Sequence, residues 1–152
     1  MAKIALTNLG LKPSPEIKTI EWNGQIIEVK QYLPIETKLD LISNIANKSV
    51  DENPYYNPAR IKIFTRLEII LAYANINTTD KQREDIFKLY DMFAGELGDK
   101  VIEAIPVSEY NFIKSTVYDI IEGIYKYKNS AMGIMENIVS DYSALDFNAT
   151  EI

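Results

Sequence analysis

Residues 108–142 read SEYNFIKSTVYDIIEGIYKYKNSAMGIMENIVSDY and contain no proline. Apolar residues fall at Ile113, Val117, Ile120, Ile124, Tyr127, Ala131, Ile134 and Ile138. The gaps alternate between four and three, the narrow stripe of a helix that lies against another helix. Ser108 is suited to cap its start, since a serine hydroxyl accepts from an unpaired N–H of the first turn. Such a helix would be about 50 Å long at the usual rise per residue. It therefore either projects from a domain of this size or runs its full length. Tyr118, Tyr125 and Met132, seven apart, form a second ridge beside the stripe. In a bundle the chain's own helices would cover the row from Ile113 to Ile124. The row from Tyr127 to Ile138 is open to burial or to projection into an oligomer.

The segments before this helix predict what it packs against. Ile17–Leu33 is a hairpin signal, because Asn23-Gly24 supplies the positive φ angles of a two-residue turn. Pairing across it sets Ile20 opposite Ile27 and Lys18 opposite Val29. Ile20, Trp22, Ile27 and Val29 then share a core-like face, while Thr19, Glu21, Glu28 and Lys30 lie on the other with Ile17 and Ile26. A lone hairpin is marginal in water, so this one either closes the chain's own core or adds to another subunit's sheet. Pro34 starts a helix whose expected buried stripe is Ile35, Leu39, Ile42, Ile45 and Ala46. A loop with adjacent Tyr55 and Tyr56 follows, and exposed tyrosine pairs are good partner anchors. Asn57-Pro58 opens a second helix, with Ile61, Phe64, Leu67, Ile70, Leu71 and Ala74 as a stripe that Ile63, Ile69 and Tyr73 widen. An apolar arc that broad belongs to the central helix of a bundle. Thr79 and Gln82 match a capping box, and the helix they begin carries Ile86, Leu89, Tyr90 and Phe93 before Gly95 and Gly98. A shorter piece with Val101, Ile102 and Ile105 stops before Pro106.

The fold class expected is α+β, mostly α, with an N-terminal β-hairpin before a four- to five-helix bundle that ends in a long helix. One domain of 152 residues is enough for a sizeable core. It divides into an arm (1–16), the hairpin (17–33), a helical body (34–142) and a weakly patterned tail (143–152). Gly10, Pro13 and Pro15 block regular structure in the arm, which reads as ordered on binding or as a short strand pairing elsewhere. In the tail, Asn148-Ala149-Thr150-Glu151 resembles a helix start, as if the chain continued.

Composition excludes much chemistry. The chain has neither cysteine nor histidine, which removes disulfides, thiol catalysis, and the commonest general base and metal ligand. A formal charge of -6 argues against an electrostatic hold on nucleic acid or anionic membrane. Arg60, Lys62 and Arg66 form the second helix's basic cluster and read as a solvated face. The opening residues do not read as a secretory signal, and no apolar run approaches the roughly 20 residues of a bilayer span. There is no phosphate loop, nucleophile elbow or metal-binding spacing. Glu96, Asp99 and Glu103 have a spacing that can share one helical face, but surface acids so spaced usually form a solvated face. Asp40 and Glu68 each fit the polar side of their own helix. Neither catalysis, nor a metal, nor a cofactor is expected. Partner surface is what remains, with Tyr55, Tyr56, Tyr127, Ala131, Ile134 and Ile138 as candidate interface residues.

Three stretches carry a resemblance: KTIEWNGQIIEVKQYLPIETKLDLI (Lys18 to Ile42), Phe64 to Thr79, and YKYKNSAMGIMENI from Tyr125 to Ile138. In them the chain resembles small proteins of the structural-gene block of tailed phages and prophages of low-GC Gram-positive bacteria, most of all tail assembly chaperones. The resemblance rests on pattern, not on an invariant motif. It implies a non-enzymatic protein of the host cytoplasm that forms a homo-oligomer and binds other phage structural proteins, the tape measure or the tail tube. Two alternatives stand beside it: a structural component of the virion (head, connector or tail) and an inhibitor of a host or defence protein.

Overall fold

The computed structural model describes residues 1–12, 16–55 and 57–149, with side chains in the last stretch described as far as Ser143. Two strands, β1 (Ile17–Trp22) and β2 (Gln25–Lys30), pair antiparallel. Asn23 and Gly24, at φ 51° and 77°, make the tight turn between them. The register is the expected one, Ile20 opposite Ile27 and Lys18 opposite Val29. Ile27 and Val29 are buried, Ile20 and Trp22 half-buried, and Ile17 and Ile26 exposed on the far face. One face of the hairpin therefore closes the chain's own core. Ala74 forms a bridge to Val29, and Asn75 bonds Glu28 through both its backbone N–H and its side-chain oxygen, which seals the outer edge of β2. The arm carries one 3-10 turn, Leu6–Leu9, ended by Gly10 at φ 60°, and residues 1–12 are all exposed. They form no strand; Pro13 and Pro15 lie outside the described residues.

Among the described residues seven helices follow. The first, α1, is Ile35–Ser49, and α2 is Pro58–Tyr73. The Asn57 side chain accepts from the N–H groups of Ala59 and Arg60, as its cap position predicts. Ile61, Leu67, Ile69, Ile70 and Tyr73 are fully buried, so α2 is the central helix. The stripe of α1 sits differently from the expected one. Ile35 and Leu39 are exposed, and Lys38 and Leu41 are buried with Ile42, Ile45 and Ala46. Its N-cap is Pro34 itself, one place outside the helix.

The capping box of Thr79 and Gln82 is present with both reciprocal bonds. Its helix is short, however: α3 (Asp80–Glu84) ends where Asp85 caps a new one, α4 (Ile86–Phe93). Gly98 lies inside α5 (Glu96–Ala104) and is no break. A Cβ there would run into the Phe93 carbonyl and the Arg66 guanidinium, so glycine is what lets α4 and α5 close on α2.

The long helix is two. The first, α6 (Val107–Lys128), packs on α1 and α2; α7 is Ala131–Ala149. Pro106 is the N-cap of α6, and Ser108, read as a cap, lies within it. The break has a local cause. The backbone N–H and side-chain amide of Asn129 both donate to the Tyr125 carbonyl, while the amide also reaches the Pro54 carbonyl at 2.8 Å. Ser130 then caps the new helix by accepting from the Gly133 N–H at 3.1 Å. Gly133 packs so closely on the Tyr127 carbonyl that a Cβ would collide with it. The segment 143–149, expected as tail, continues α7, and Asn148 lies within this helix rather than before one; Thr150–Ile152 lie outside the described residues.

The buried row of α6 is Ile113, Val117, Ile121 and Tyr125, with Ile120 exposed and Ile124 half-buried. A row at constant spacing of four is inclined to the helix axis, the geometry of crossing helices, whereas alternating fours and threes suit a coiled-coil seam.

Candidate functional site

Among the described residues charged side chains enter the core in two places, and both look inward. Lys38 of α1 and Glu109 of α6 form a buried ion pair at 2.7 Å. The Tyr73 hydroxyl of α2 donates to the second Glu109 oxygen at 2.5 Å, so one carboxylate ties three helices. The Lys38 ammonium also sits 4.3 Å from the centre of the Tyr32 ring, a favourable cation–π placement. Burial, and then the bond to Glu109, push the Tyr73 pKa far above the ordinary tyrosine value. Glu68 of α2, expected on a polar face, is buried too and accepts from Lys48 at 2.9 Å, with Arg83 at 3.8 Å. Both carboxylates have their oxygens engaged by cations or donors of the chain itself, which makes these clusters pins between helices.

Sequence reading missed Lys38 and Glu109, although a signal existed. Lys38 lies three and four residues before Leu41 and Ile42, and Glu109 lies four before Ile113, so each continues a buried row. The basic cluster of α2 is structural in part. Arg60 donates to the Lys48 carbonyl at the end of α1. Arg66 donates to the Phe93 carbonyl ending α4 and pairs with Asp99 at 2.9 Å. Of the three acids considered together, Asp99 is thus taken by Arg66, and Glu96 pairs with Lys100 on its own helix. Asp40 is exposed.

The outward-facing features lie at the other end of the chain. No apolar side chain from Ala131 to Tyr142 is buried; Gly133 alone is enclosed in that stretch. Ile134 is 50% and Ile138 61% exposed. At 100° per residue, Met132, Ile134, Met135, Ile138, Val139 and Tyr142 cover an arc of roughly 160°, wider than a two-helix seam. Ala131 is exposed in the first turn of the same helix, and Tyr127, half exposed, stands in the last turn of α6. The neighbouring Glu136 carboxylate raises the pKa of the Tyr127 hydroxyl above the ordinary tyrosine value.

Tyr55 is 81% exposed and borders a separate hollow of about 470 Å³ with Pro54, Pro58, Tyr125 and Asn129. Lys128 holds this loop by donating to the Asp51 carbonyl at 2.7 Å. Tyr56 lies outside the described residues. The structure therefore gathers Tyr127, Ala131, Ile134 and Ile138 into one region and places Tyr55 at another.

Among the described residues no helix is long and apolar enough to cross a membrane. Comparisons of the chain with protein-family models, with curated proteins and with solved structures find no match.

Proposed function

We propose that this protein acts without catalysis, by protein–protein contact in phage morphogenesis, as a tail assembly chaperone that self-associates and holds the tape-measure protein while the tube is built. The observation that carries the reading is the uncovered apolar face of α7. Leaving six large apolar side chains in water on one helix is costly, and contiguous exposed apolar surface of this kind marks interaction sites. The engaged state of the buried carboxylates supports the non-enzymatic part. The far face of the hairpin supports self-association, since Ile17 and Ile26 are exposed there.

The test is made in cells producing particles from the complete tail-gene block. Tagged protein should bring down the tape-measure protein from the lysate and be missing from purified particles. Many copies in the finished particle would replace the chaperone with a structural component. A host protein recovered in equal amount, without the tape measure, would point to an inhibitor.

A further inference from the structure

We infer that the apolar face of α7 receives basic amphipathic helical segments of a different protein, and is not the contact between copies of this chain. The inference rests on reading α7 as a partner surface; it does not depend on which assembly the partner belongs to.

Charge decides the occupant. After Lys128 the chain holds four of its 22 acidic residues, Glu136, Asp141, Asp146 and Glu151, and none of its 16 basic ones. Glu136 and Asp141 are exposed on the same helix as the apolar arc. Two copies of α7 laid face to face, parallel or antiparallel, would bring only carboxylates to both rims. Like charges so placed repel, with no cation from either helix to offset them. Outside that stretch the chain holds 18 acidic and 16 basic residues, so a second copy's body is net negative as well. A partner helix with lysine or arginine beside its apolar stripe satisfies both parts of the surface at once. Met132 and Met135 suit such a role, because unbranched thioether side chains adapt to differently shaped partners.

Two matched synthetic helices of about 20 residues, near the length of α7, test this. One has leucine on one face and lysine on the other; its twin has glutamate in place of lysine. The full-length protein should bind the lysine peptide, ignore the glutamate peptide, and lose affinity as salt is raised. Ile138→Asp should weaken binding by about 100-fold, since it removes apolar contact and buries a charge. Its thermal unfolding should stay unchanged. The double variant Glu136→Lys/Asp141→Lys, made at exposed positions, keeps the test independent of folding. It should weaken the lysine peptide about 10-fold and let the glutamate peptide bind.

Equal binding of both peptides, or of neither, overturns the inference. So does self-association in sedimentation that Ile138→Asp abolishes, because a second copy would then be the occupant. Failure of the particle experiment above leaves these outcomes untouched, and the reverse holds.

Discussion

Helices α6 and α7 have similar patterns of apolar residues and opposite fates. Along α6 the row Ile113, Val117, Ile121 and Tyr125 is buried against α1 and α2. Along α7, Ile134, Met135, Ile138 and Val139 are all half or more exposed. Amphipathic spacing shows that a helix has a dry side; it does not show whether the same chain covers it. What separates the two is the Asn129-Ser130 turn, which ends one helix by filling its last carbonyls and starts another.

The comparison can be broken most severely at Glu109. Replacing it by alanine leaves the Lys38 ammonium buried without its counter-ion and should cost about 3–5 kcal/mol in urea unfolding. Replacing both Lys38 and Glu109 by apolar residues of similar volume should cost much less, since no lone charge remains.

Tyr73→Phe should follow, with a loss of about 1.5–3 kcal/mol at neutral pH, the range for a bond to a charged group. Its pH dependence has a definite sign. The Tyr73 pKa is raised in the folded state, so its stabilisation is complete below the ordinary tyrosine value near 10 and is lost as pH rises above it. Above that pH the wild-type advantage over Tyr73→Phe should shrink by about 1.4 kcal/mol per pH unit, read from denaturation at matched pH.

Gly98→Ala should cost about 1–3 kcal/mol, because the Cβ meets the Phe93 backbone at the α4–α5 junction. The smallest effect belongs to α7. Ile134→Asp and Ile138→Asp should each change stability by less than about 0.5 kcal/mol, as expected of surface positions. A large loss there would mean that the chain does cover this face, and the contrast between α6 and α7 would fall.

Much of the fold was legible in the residues. The Asn23-Gly24 turn, the cap at Asn57 and the box at Thr79 and Gln82 are short-range chemistry, fixed within four residues, and each stands where the sequence puts it. The misplaced features depend on tertiary contact. Ile35 and Leu39 fit an apolar stripe as well as Leu41 does, yet Lys38 took the inward position because Glu109, 71 residues away, is there to receive it. Ser130 and Gly133 signalled the break in the long helix, but an unbroken apolar rhythm across residues 127–138 outweighed them. Of the interface candidates, the four around the break share a region, whereas Tyr55 has its own hollow, a separation that spacing along the chain does not encode.

The turn at Asn129-Ser130 also sets how α7 can respond to load. Its Asn129 amide is anchored to the Pro54 carbonyl, and Lys128 beside it holds Asp51, so the base of α7 is braced to the segment 51–54. Force or ordering imposed on α7 by whatever grips it would therefore be delivered first to that loop and to Tyr125, whose hydroxyl accepts from the Asp51 N–H at 3.3 Å. The lever ends in the segment that displays Tyr55, which makes that tyrosine a natural reporter of engagement at a distance.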